Sequence, residues 1–156
     1  MIKSYIASIH KMREFFDRST RCLDEKDSDF TPRSEMLTVA SHVAHVAQTV
    51  EWFLDGAFNP NGMAMNFEEM HVVVQNVHSL SEARAWFKRA CDRAETTIGS
   101  KAAAEMEVKI TGALMGGQPR SYILEGMTDH AAHHRGALTV YARLLGKVPP
   151  MPYMEL

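Results

Sequence analysis

This sequence lacks an excess of charge of either sign. Its 17 Lys and Arg stand against 19 Asp and Glu, for a formal net charge of −2. It therefore carries no electrostatic footprint for nucleic acid or for an anionic membrane surface. Cysteine is scarce as well. Cys22 and Cys91 are far apart and form no CxxC pair, so two free thiols in a reducing cytoplasm is the plain reading. Long apolar runs are missing, and no stretch approaches the length of a bilayer span. Met1-Ile2-Lys3-Ser4-Tyr5 lacks the apolar region of a secretion signal, and the expected location is the cytoplasm. Strand-type alternation of useful length is absent, as is any internal repeat. Gly116-Gly117 has no GxxxxGK[ST] pattern around it, which removes the phosphate-loop reading.

The chain does contain apolar residues at helical spacing, eight histidines and eleven methionines. At 156 residues, 46% hydrophobic and 23% charged, it reads as one globular domain able to bury a core without staples. The methionines read as core fillers.

Four amphipathic segments follow one another. Ile2, Tyr5, Ile9, Met12, Phe16 and Leu23 mark the first helix, from residue 2 to about residue 25, with His10 beside the stripe as a surface residue. The second opens at Thr31-Pro32 or at Thr38 and runs to about Leu54, with Gly56 as its stop and Val39, Val43, Val46, Val50 and Phe53 as its stripe. A mixed connection, 57–79, holds a turn at Asn59–Gly62 and a short helix over Phe67–Val74, placed to cover one end of a bundle. Its His71 and His78 read as exposed. Ser79 and Glu82 have capping-box spacing and open the third helix, which Gly99 ends. Trp86 and Cys91 flank its stripe and read as core. After a second connection, 100–118, Pro119 fits the first turn of a fourth helix that Gly146 stops. The proline-rich tail, Val148 to Tyr153, runs extended. The expected fold is all-α, a four-helix bundle, with connections long enough for crossovers.

The fourth helix carries the chemistry. Ile123, Met127, His130, His134, Leu138, Tyr141 and Leu145 form one stripe, so His130 and His134 occupy core-type positions one turn apart. A lone buried imidazole is ordinarily a hydrogen-bonded core residue. Two on one inward face can share a cation, and further histidines lie on the second helix. His42 and His45 flank the stripe there, and periodicity slightly favours His42 as the inward one. Three imidazoles with no evident fourth ligand would leave an open coordination position, suited to zinc or nickel and to catalysis. Two familiar helical metal motifs are missing. There is no HExxH, and Glu68-x-x-His71 alone does not make a di-iron site. His133 sits at the edge of the His130/His134 face, Asp129 could orient a ring from outside the ligand set, and Arg135 adjoins the site in sequence only.

The string His130-x-x-x-His134-Arg135-Gly136-x-Leu138-x-x-Tyr141-x-Arg143-x-Leu145-Gly146-Lys147-x-Pro149-Pro150 resembles the DinB/YfiT-like family of small four-helix metal-binding proteins. Thr38-Val39, Ala44-His45-Val46-Ala47 and Trp52-Phe53 match it too, and the resemblance covers almost the whole chain. It implies a bundle with a crossover connection, often homodimeric, and an open site for a divalent metal ion, nickel or zinc. Counting from Thr38-Val39, it implies His45 as the ligand from the second helix, against the preference from periodicity, beside His130 and His134. His42 and His133 are then extras expected at the pocket mouth. The implied activities are thiol-dependent transferase or isomerase, or hydrolase, on a small-molecule substrate, with a low-molecular-weight thiol as partner. The alternative is a non-catalytic metal-binding or stress-response binding module. No catalytic residue beyond the metal ligands is implied.

Overall fold

The computed structural model describes residues 1–154. Among these it contains six helices: α1 (Ile2–Thr20), α2 (Val39–Phe58), α3 (Phe67–Gln75), α4 (Leu80–Gly99), the single turn α5 (Ala103–Met106) and α6 (Ile123–Leu144). The four long ones form the expected bundle.

Thr38 is the true start of α2, its side chain accepting from the Ser41 amide. Thr31-Pro32 lies outside the helix. Ser79 caps α4 in the same way, accepting from the Glu82 amide at 3.2 Å. Three boundaries differ from expectation. Helix α1 ends at Thr20, because the acidic run prefers a short 3₁₀ turn, Glu25–Asp27, in which the Asp24 amide donates to the Asp27 carboxylate; Leu23 is nevertheless buried. Gly56 does not stop α2, which continues to Phe58. A Cβ at Gly56 would come within 2.0 Å of the Met63 sulfur, so this glycine makes room for the chain returning beneath the helix. Pro119 precedes a 3₁₀ turn, Arg120–Tyr122, and α6 proper begins at Ile123. Gly146, at φ +74°, follows the end of α6.

The pairs across the bundle fix its order. Helix α1 packs on α4 and α6, and α2 packs on the same two, so α1 and α2 face each other diagonally. Arg13 pairs with Asp92, and His10 with Glu95, while Arg84 reaches back to Thr20; α1 and α4 are antiparallel. Ser41 bonds Val77 just ahead of α4, Glu51 bonds Trp86 and Asp55 bonds Arg93, so α2 and α4 run parallel. That parallel step needs a connection the length of a helix, which is why residues 59–79 are long and carry α3. His42 opposite His134 and Phe53 opposite Gly126 make α2 and α6 antiparallel. The directions are thus up, down, down, up.

The core is continuous, from Phe16, Val43, Val46 and Val50 to Phe87, Ile98, Met127 and Leu138. Cys91 is buried, Cys22 partly so, and both are free thiols. The tail is tied down: Arg18 donates to the Pro152 carbonyl at 2.6 Å, and Tyr153 meets Phe15 edge-on. Among the described residues, no helix is long and apolar enough to cross a membrane.

Candidate metal centre

The α2/α6 seam holds the site. Helix α2 offers His42 and His45; α6 offers His130, His133 and His134. Antiparallel packing sets His45 against His130 and His42 against His134, one turn apart in each helix. Close approach of the helices depends on Gly126, where a Cβ would lie 2.7 Å from the Phe53 ring.

Three imidazoles converge. The Nε2 atoms of His130 and His45 are 3.2 Å apart, and those of His134 and His130 are 3.1 Å apart. One ring nitrogen from each of the three lies within 4.8 Å of the others. A tetrahedral ion at the usual zinc–imidazole distance places its nitrogens about 3.3 Å from one another. Two of the three nitrogen pairs have about that spacing, and the donor chemistry suits such an ion.

Electrostatics favour the form that can ligate. Burial, reinforced by the neighbouring rings, pushes the pKa of His130 down to about 4 and that of His134 to about 2. Burial and His71 lower His45 too. These rings are neutral at pH 7 and present lone pairs.

His42 lies deeper. It is only 6% exposed, and burial lowers its pKa to about 4. Its Nε2 is 2.6 Å from Nδ1 of His134, and its ring stands edge-on to Tyr141, whose hydroxyl donates to the Leu37 carbonyl at 3.1 Å. For Nε2 of His134 to offer a lone pair, its proton must sit on Nδ1, directed at Nε2 of His42. His42 must then carry its own proton on Nδ1, and that buried nitrogen has no hydrogen-bond partner among the described residues. The structure therefore brings together His45, His130 and His134, and places His42 behind the cluster rather than at a pocket mouth.

The other candidates fall outside the cluster. The His133 ring stands 4.9 Å from that of His134, and the residue is exposed. Asp129 is exposed and, among the described residues, makes no hydrogen bond to an imidazole, so it does not orient a ring. Arg135 turns the other way, over Phe15 and Tyr153. His10 is exposed and paired with Glu95, and His78 is exposed and paired with Asp29.

A cavity of about 580 Å³ opens beside the cluster. His45 and His130 form part of its wall, with Trp52, Phe53, Phe67 and Met70 around them and Glu68 and His71 contributed by α3. The sequence reading treated Glu68-x-x-His71 only as a failed di-iron motif. The usable signal was that Trp52 and Phe53 lie about two turns beyond His45 on one helix, with an amphipathic segment placed to close over them.

The fold and the site define a helical-bundle protein with a three-histidine cluster beside a cavity. The chain belongs to the DinB family, whose profile matches residues 3–156. No curated protein sequence matches it. In structure it is similar to YfiT from Bacillus subtilis, described as "a probable metal-dependent hydrolase with an unusual four-helix bundle topology", with a TM-score of 0.72 and 13% identity over 94% of this chain and 88% of that one. It is also similar to a histidine-to-alanine mutant of the mycothiol-dependent maleylpyruvate isomerase, with a TM-score of 0.72 and 13% identity over 96% of this chain but 62% of the isomerase. A second structure of that isomerase gives a TM-score of 0.70 at 13% identity, over 88% and 60%. At such identity these likenesses establish the fold alone.

Proposed function

We propose that this protein is a divalent-metal-dependent enzyme that holds nickel or zinc through His45, His130 and His134. It acts on a small molecule, either by transfer of a low-molecular-weight thiol or by hydrolysis. The carrying observation is the convergence of three neutral imidazoles, two of them (His45 and His130) in the wall of a cavity large enough for a small molecule. The descriptions of the neighbours, one metal-dependent and one mycothiol-dependent, support the same reading.

The fit rests on the donor set. Three nitrogen ligands with no carboxylate or thiolate suit a borderline ion and leave a position open towards the cavity. When bound, such an ion supplies Lewis acidity and lowers the pKa of a thiol or water beside it. The chain does the rest. His42 fixes the tautomer of His134 by accepting a hydrogen bond from its Nδ1–H. Trp52, Phe53 and Phe67 keep water from one side of the reactant. Glu68 and His71 at the cavity are the side chains available to take up a released proton.

The test is a thiol-transfer and ester-hydrolysis screen on nickel- or zinc-loaded protein beside His45→Ala, His130→Ala and His134→Ala. Activity should vanish in each variant with metal supplied in excess. Wild-type turnover in the triple variant would end the proposal.

A further inference from the structure

The cavity beside the imidazoles has an uneven chemistry. Its walls are the Trp52, Phe53 and Phe67 rings and the Met70 side chain, and neither Lys nor Arg lines it. Trp52 joins the other two rings, meeting Phe53 edge-on with centroids 5.0 Å apart and Phe67 at a tilt at 5.9 Å. Acceptors outnumber donors among the hydrogen-bonding groups left over, the donors being the second N–H of Gln48 and the ring N–H of His71. The Gln48 amide nitrogen donates to the Met70 carbonyl at 3.0 Å, which leaves its carbonyl oxygen free to accept. The Thr49 hydroxyl is spent on the His45 carbonyl at 2.9 Å, and the Trp52 indole N–H on the Ala64 carbonyl at 2.7 Å. Among the described residues, the one acidic side chain in the lining is Glu68.

We propose that this cavity selects an uncharged, aromatic-sized substrate that carries a hydrogen-bond donor, and discriminates against anionic substrates of the same shape. The inference rests on the metal-site reading for the reaction but on the walls alone for the selection. An aromatic body fits between Trp52, Phe53 and Phe67, where offset and edge-to-face contacts are favourable. Its hydroxyl, thiol or amide N–H finds Gln48 or Glu68 as acceptor. A carboxylate or phosphate at the end of the substrate remote from the imidazoles finds neither Lys nor Arg in the lining, loses its hydration, and lies in the field of Glu68. Such a site discriminates by leaving the wrong ligand's charge unpaired.

The experiment is calorimetric titration of the full-length protein with phenylmethanethiol and with its para-carboxylate, a pair that differs only in the anionic group. Both are run on zinc-loaded and on metal-stripped protein, with metal content measured on the same samples. The neutral thiol is expected to bind at least about tenfold more tightly to the metal-stripped protein, where no dication offsets the carboxylate. Phe67→Ala should weaken both ligands, and Glu68→Lys should narrow the preference severalfold. In the metal-stripped protein, equal affinity, a preference for the carboxylate, no binding of either compound at millimolar concentration, or an unchanged preference in Glu68→Lys would overturn the proposal. A preference that survives in protein unable to take up zinc would support it while refuting the metal reading, so the two fail separately.

Discussion

Replacing His42 by Leu separates the roles of the buried histidines. The ring of His42 is 6% exposed, and its Nε2 is 2.6 Å from Nδ1 of His134. Leucine fills a similar volume but cannot accept the His134 proton. The ring of His134 would then lose the partner that fixes its tautomer, and loss of such a partner costs roughly 10- to 100-fold in metal affinity, or about 1.4 to 2.7 kcal/mol. Stability of the metal-free protein should move the other way or not at all. The Nδ1 of His42 is buried without a partner, and an unsatisfied buried polar group costs about 1–3 kcal/mol, which leucine removes. The assay is zinc affinity by chelator competition, with urea denaturation of metal-stripped protein beside it. His42→Gln, which keeps an acceptor, should recover part of the affinity. Unchanged zinc affinity in His42→Leu would refute the reasoning. So would a large loss of metal-free stability, because that is the signature of a hydrogen-bonded imidazole core rather than a ligand set.

Two further predictions concern pH and the buried ion pair. The folded pKa values of His42 and His130, about 4, lie below the unfolded value near 6.5, and those of His45 and His134 are lowered as well. The unfolded chain therefore binds more protons in this window. Metal-free stability should be complete above pH 6.5 and fall as pH drops towards 4, by at most about 1.4 kcal/mol per pH unit for each imidazole. Denaturation midpoints at pH 7.5, 6 and 5 check this, and a flat profile would contradict it. Lys147 pairs with Asp27, which is 5% exposed, and with Asp24. Lys147→Met should destabilise the fold by about 3 kcal/mol, because it strands a buried carboxylate; a shift under about 1 kcal/mol would show that Asp27 is satisfied by the Asp24 amide alone.

The bundle was legible in the sequence because its information is local. Caps at Thr38 and Ser79 and apolar stripes at helical spacing set the helices within a few residues. Gly56 misled because a glycine that makes room for Met63 looks the same in sequence as one that ends a helix. The diagonal placement of α1 and α2 was not legible, since long connections permit several orders and only the contacts between helices choose one. The choice between His42 and His45 is the most instructive. Periodicity rewards the residue nearest the stripe centre, and His42 is indeed the more buried. An open site needs the opposite, a nitrogen at the stripe's edge where a cavity can reach it, and His45 is that residue. The motif resemblance pointed to His45, and it is the His45 nitrogen that lies with those of His130 and His134. The cavity walls were hidden because α3 is far from His130 in sequence and meets it only through the fold.

The central claim is that His45, His130 and His134 hold a metal ion. Elemental analysis of untagged protein prepared without chelator tests it most directly, beside the His130→Ala/His134→Ala variant and after reconstitution of both with nickel or zinc. About one ion per chain in the wild type and none in the variant is the predicted result. Absence of metal from the reconstituted wild type, or equal metal in the variant, would contradict the account.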